Sequence, residues 1–257
     1  MSIIRQIQEL RSIAHSDHLL TVDLAERLGA LEERVGSESD LPDLRTPEFG
    51  KSEYLLNCDP NGVALVASSE LTDAIQRDPH PDPAWVRIRS GNVLALRWLC
   101  HFIGFRHRAI HLFLDHPDHP DATFVQVRSL SKYNSPGLFD MPVGGHVDAT
   151  DTPRESLRKE LGEELGLDDR TDLIEVNEIG TYNIAIPNFQ PNYAEVEHTT
   201  LYRATIRPES VSRFRLQEGE AGGLVLFKRD ELNRWIIEFP DRVGGGLIDS
   251  WKYYSCP

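Results

Sequence analysis

Apolar side chains at Ile3, Ile4, Ile7 and Leu10, then at Leu20, Leu24, Leu28, Leu31 and Val35, recur close to the helical repeat with a break near Ser16-Asp17. This spacing predicts a helical hairpin over residues 3–35. Residues 36–50 are rich in Ser, Asp, Pro and Gly and read as a linker. From Glu53 to Ile103 the signals mix: Asn57-Cys-Asp-Pro-Asn-Gly predicts a tight hairpin and residues 78–84 a Pro/Asp-rich loop. Strand-like runs follow at 108–114 and 123–128, then a loop with Ser135-Pro-Gly, a short strand into Gly144-Gly145 and a helix. Further strands are expected near 173–186, 195–206 and 223–228, and helices near 229–236 and 246–254. Strands interleaved with helices imply an α/β or α+β sandwich with a mixed sheet, here with an N-terminal helical extension. We divide the chain into a helical segment and linker (1–50), an accessory region (51–104) and a main domain (105–257).

Composition narrows the function. The 257 residues are 40% hydrophobic and 26% charged, enough to bury a core, and 27 basic against 41 acidic side chains give a net charge of -14. Such a field argues against duplex nucleic acid and anionic membrane as partners. The stretch from Leu20 to Ala30 has the spacing of a helix-turn-helix but no basic recognition helix, so packing or homodimerisation is the better reading. Cys58, Cys100 and Cys256 are odd in number and widely spaced, which speaks against a disulfide framework and for a reducing compartment. The N-terminus has no apolar signal core, and Val93 to Phe105 is interrupted by Arg97 and His101 and is too short to span a bilayer. A cytoplasmic protein is expected. An acidic protein that handles phosphates needs another source of positive charge, most often a divalent metal.

The informative segment runs from Gly145 to Leu167. Thr152 suits an N-cap, Pro153 the first helical position, Glu155 a capping box and Gly166 the C-terminal cap, so a helix is expected over about 153–165. Leu157, Leu161 and Leu165 form its core-facing stripe, while Glu160, Glu163 and Glu164 share a neighbouring face of about 100°. A solvated acidic face costs only about 0.2–0.5 kcal/mol per like-charge pair and is the plain alternative. The Gly-Gly turn leading into the helix favours the other reading, because hard oxygen ligands on a rigid element are what Mg²⁺ or Mn²⁺ needs when it also holds phosphates.

The segment resembles the Nudix box. Gly145, Glu160, Leu161, Glu163, Glu164, Gly166 and Leu167 match its positions, Asp151 stands for its first Glu and Lys159 for its Arg. Asp151 keeps the charge on a shorter stem, and Lys159 keeps it without the bidentate fork. The wider similarity, over about 105–240, is to isopentenyl-diphosphate isomerase and its Nudix relatives: Arg106-His107-Arg108-Ala109, Arg128, Lys132, Pro136-Gly137, Gly145-His146 and Glu195-Val-Glu197 carry it. The resemblance implies a Nudix-type α/β/α sandwich and a metal held by His107, His146, Glu195 and Glu197. It also implies that Arg128 and Lys132 contact the diphosphate. The i,i+2 spacing puts both strand glutamates on one face.

Two departures separate hydrolase from isomerase. The isomerase's catalytic Cys falls on Gly144, and the helix glutamates that isomerases usually lack are all present. The resemblance therefore implies a hydrolase of small organic diphosphates, nucleoside diphosphate derivatives or isoprenoid diphosphates, with Mg²⁺ or Mn²⁺ held by Glu160, Glu163 and Glu164 together with the Gly144 carbonyl. Glu160 ranks first as general base and Glu220 second, Lys159 orients a neighbouring carboxylate, and Asp151 stands behind the ligands. An isomerase-like enzyme and a non-catalytic ligand sensor are the alternatives. By themselves Glu218 and Glu220 read as a solvated loop, His116 and His119 as part of a Pro-bounded turn, and Phe189, Tyr193 and Trp235 as candidates for stacking on a base or for packing.

Overall fold

In the computed structural model of the chain, the structure describes residues 53–64, 86–190 and 193–254. The expected helical hairpin, the 36–50 linker, the 78–84 loop and Cys256 lie outside the described residues. The described residues fall into two compact units, one made of those within Met1–Arg108, Asp148–Thr150 and Asn183–His198, the other of those within Ala109–Val147, Asp151–Tyr182 and Thr199–Pro257.

In the first unit, β1 (Tyr54–Leu56), β2 (Val86–Arg89) and β3 (Asn92–Leu96) form an antiparallel sheet in the order β1-β3-β2. Only Ser90 and Gly91 join β2 to β3, both at positive φ (52° and 83°), the geometry of a two-residue turn whose twist suits the flanking strands. Helix α1 (Arg97–Ile103) follows directly. The interrupted apolar stretch from Val93 is therefore a buried strand running into a short helix, with Ala95, Leu99, Cys100 and Phe102 almost fully enclosed. The turn expected at Asn57 to Gly62 is present, closed by a bridge between Cys58 and Ala64.

The larger sheet has the order β10-β5-β4-β9-β8, with β6 on β5 and β7 on β4. Its strands are β4 (His107–Asp115), β5 (Ala122–Arg128), β6 (Phe139–Asp140), β7 (Val143–His146), β8 (Leu173–Gln190), β9 (Tyr193–Ile206) and β10 (Ala221–Lys228). Alternation along β4 sorts its side chains to two faces. In the second unit, Ile110, Leu112 and Leu114 join Leu157, Leu161 and Leu165 of α2 (Pro153–Leu165) in one buried cluster. Phe113, pointing the other way, packs on Trp251 and Tyr254 of α4 (Gly245–Tyr254). Helix α3 (Arg229–Glu238) precedes it. Helices on both faces of a mixed sheet give the layered α/β architecture expected from the sequence. Among the described residues no helix is long and apolar enough to cross a membrane.

Candidate active site

Helix α2 has the limits its sequence dictates. Thr152 accepts the Glu155 N–H while the Glu155 carboxylate accepts from the Thr152 backbone, Pro153 opens the helix, and Gly166 ends it at φ 68°. With both ends fixed and the leucine stripe buried, the acidic face is held in place. Glu164 is buried, Glu160 half-buried and Glu163 exposed. Strand β7 lies against β4 with Ile110 opposite Gly145 and His111 opposite Gly144. The Glu160 carboxyl occupies the space a side chain at Gly145 would need.

Glu164 is the electrostatic centre of this group. Gln126 Nε2 donates to its Oε2 at 3.3 Å, and the Gly144 N–H donates to the same carboxylate. Burial, then the negative charges of Glu160 and Glu220, push its carboxyl well above the usual range, against a partial opposing effect of Lys132. Other buried carboxylates of this unit meet arginines: Asp115 meets Arg203 and Arg229, Asp169 meets Arg154 and Arg158, and Asp172 meets Arg213. Among the described residues no cationic side chain pairs directly with Glu164. Oxygen donors of like charge, gathered on one helix face and oriented by neutral groups, fit a hard divalent cation.

The expected basic residues are each engaged with a carboxylate, and Lys132 and Glu220 both act on Glu164. Lys132 closes an ion pair on Glu220. Arg128 bonds Asp140 at 3.0 Å and the Asn134 carbonyl at 3.0 Å. Lys159 pairs with Asp151 at 2.5 Å, and Asp151 also accepts from the Ser156 hydroxyl. Lys159 thus orients Asp151.

In the first unit His107, Glu195 and Glu197 come together. His107 Nδ1 donates to the Phe105 carbonyl at 2.8 Å, which leaves Nε2 directed at Glu197, 3.7 Å away. Burial opposes charge on this imidazole, but Cys100 and Glu197 outweigh it and raise the pKa to about 10. Burial and the Glu197 carboxylate hold Glu195 well above its usual range. His101, which the sequence reading passed over, belongs here too: its Nδ1 donates to the Ala194 carbonyl at 3.0 Å, and it offers a ring nitrogen within 4.8 Å of one from His107. Its signal was a polar residue inside the Val93–Phe105 apolar run. His146 ends β7 opposite Ala109, in the second unit.

The aromatic candidates resolve as packing where their side chains are described. Tyr193 is buried and stacks on His101, and Trp235 sits among Phe139, Phe227 and Phe239. His116 and His119 lie in the β4–β5 turn, where the His116 N–H donates to the Ala122 carbonyl and the Ala122 N–H to that of His119. Burial pushes the Cys58 thiol up to about 12, and Cys58 and Cys100 are both free.

A family model described as NUDIX domain matches residues 105–243. The chain is 28% identical to Nudix hydrolase 3 of Arabidopsis thaliana over 137 residues, 53% of this chain and 17% of that protein. It is 33% identical to isopentenyl-diphosphate Delta-isomerase of Roseobacter denitrificans over 86 residues, 33% of this chain and 46% of the relative. The matched stretch thus spans less than half of either relative's own length. Among solved structures, DR0079 from Deinococcus radiodurans superposes with a TM-score of 0.51 at 18% identity, covering 78% of this chain and 98% of that one, a likeness of fold.

Proposed function

This chain belongs to the Nudix family, whose members generally cleave pyrophosphate bonds in small substrates, and from that premise we propose a divalent-metal-dependent hydrolase of a small organic diphosphate. Nucleoside diphosphate derivatives and isoprenoid diphosphates are the two substrate classes. The observation that carries the reading is the buried Glu164 carboxylate, held by neutral donors beside Glu160 and Glu220. Mg²⁺ or Mn²⁺ bound by Glu160, Glu163 and Glu164, with the Gly144 carbonyl as a further ligand, would neutralise the diphosphate and polarise the attacking water. Glu160 takes the proton of that water, with Glu220 the next candidate. Lys132 and Arg128 bind the diphosphate oxygens, and Lys159 holds Asp151 behind the ligands. The domain that does this begins near residue 105, the protein acts in the cytoplasm, and neither duplex nucleic acid nor membrane is its partner, in keeping with the net charge of -14.

One observation favours a second reading. His101, His107, Glu195 and Glu197 gather ring nitrogens and carboxylates in the first unit as a metal of the isomerase type would need. Gly144 at the position of the isomerase cysteine weighs against isomerisation. The deciding experiment measures phosphate or monophosphate release from a panel of nucleotide and isoprenoid diphosphates, with and without Mg²⁺, in the intact protein and Glu164→Gln. Metal-dependent release abolished by Glu164→Gln is expected. No turnover with tight metal-dependent binding of one compound would replace the hydrolase with a sensor.

A further inference from the structure

Strand β5 reads Ala-Thr-Phe-Val-Gln-Val-Arg, and its fifth residue, Gln126, is only 4% exposed. A buried amide without partners costs roughly 1–3 kcal/mol, so its presence in an otherwise apolar stretch calls for a partner. The side chain has two: Nε2 lies 3.3 Å from Glu164 Oε2 and 3.5 Å from the Pro142 carbonyl oxygen. Gln126 is paired in register with Leu224 on one side and Asp140 on the other, so the strand holding it is itself fixed on both edges.

We infer that Gln126 is a positioning residue, which fixes the Glu164 carboxylate so that its remaining lone pairs face the divalent cation. This inference rests on the reading of Glu164 as a metal ligand. The chemistry explains the choice of amide. An arginine or lysine in its place would neutralise Glu164, as arginines neutralise Asp169 and Asp172, and would thereby compete with the cation. A neutral donor orients the carboxylate and leaves its charge available. Together with the Gly144 N–H, Gln126 supplies that orientation from two separate strands.

The test is Mn²⁺ binding to the full chain, followed by calorimetry, for wild type, Glu164→Gln, Gln126→Met and Gln126→Asn. The methionine keeps the volume and removes the donor, while the asparagine keeps the donor and shortens its reach. Expected is a Mn²⁺-binding component that Glu164→Gln abolishes and that both Gln126 variants weaken about tenfold or more. Gln126→Met is expected to lower the metal-free melting temperature, since buried Glu164 and Pro142 lose this donor, yet to stay folded at 25 °C, and Mn²⁺ affinity measured on that folded protein separates positioning from a merely structural role. Affinity within twofold of wild type in both Gln126 variants, with the component still lost in Glu164→Gln, overturns the inference alone. Absence of any component sensitive to Glu164→Gln overturns the metal-site reading itself, and the inference with it.

Discussion

The carboxyl of Glu160 lies where a side chain on Gly145 would have to be placed. Strand β7 carries no Cβ at that point, so the helix face and the strand backbone close on one another and Glu160 is held against the glycine. The φ of Gly145 lies outside the left-handed region, so the requirement for glycine there is one of space and not of backbone conformation.

Gly145→Ala therefore tests Glu160 without straining the backbone. The added methyl group must displace either the carboxyl or the strand, and misplacing a reacting group by about 1 Å can cost on the order of 100-fold in rate. Diphosphate hydrolysis is expected to fall by that order, with a stability loss of about 1–3 kcal/mol for overpacking. Parallel assays of kcat and thermal unfolding check both; a variant with wild-type kcat would remove Glu160 from the reaction.

Asp172 offers a pH prediction away from the candidate metal ligands. Burial would raise its pKa, but the Asp168 N–H, the Ser210 hydroxyl and Arg213 outweigh burial and hold it below 3.8. A depressed carboxyl contributes stability that is present above its unfolded pKa and lost as the pH falls through the folded one. Asp172→Asn is expected to cost about 1–3 kcal/mol at pH 7. The gap to wild type should narrow as the pH drops below 3.8. Urea unfolding from pH 7 to pH 3 measures this, and a gap independent of pH would show that the ionised form is not what stabilises.

What the sequence disclosed was local. Each cap of α2 is made by residues within five positions of one another, and the leucine and glutamate faces follow from the helical repeat, so limits and acidic face were both legible. The contacts that shape the site were not. Gln126 and Glu164 are 38 residues apart and Lys132 and Glu220 are 88 apart, distances at which no periodicity speaks. Helix α1, with seven residues, is too short to display a repeat, and its His101 registered only as an interruption. Tyr193 shows the converse limit: an aromatic in a loop-like stretch suggests a stacking platform until its partner, His101, is seen.

Lys132 is tied to Glu220, so a bound diphosphate has to share or capture it. Lys132→Met is expected to raise KM for the diphosphate about tenfold, since a charge-assisted contact is lost. It also removes the cation that partly offsets the charge near Glu164, so the Mg²⁺ concentration needed for half-maximal activity should fall. Stability should change by less than about 1 kcal/mol. Opposite movement of the two constants in steady-state kinetics is the signature. A parallel loss of substrate and metal affinity would mean that Lys132 only supports the loop.

Gly144 bears on the choice between hydrolysis and isomerisation. The isomerases this chain resembles have a catalytic cysteine there, and a Cβ at Gly144 would stand 3.0 Å from His111 Cδ2. His111 has little room to retreat, because its Nδ1 lies 2.8 Å from both the Tyr182 hydroxyl and the Ser250 hydroxyl. The surroundings of Gly144 are thus built for a glycine, and Gly144→Cys is expected to gain no isomerase activity. Moving a double bond requires a proton delivered to one carbon and another removed, so isomerisation in D₂O leaves deuterium in the carbon skeleton. Wild-type protein incubated with isopentenyl diphosphate and Mg²⁺ in D₂O is expected to incorporate none, as followed by NMR. Deuterium in the recovered diphosphate would assign the chemistry to the His107, Glu195 and Glu197 group and return the isomerase reading to first place.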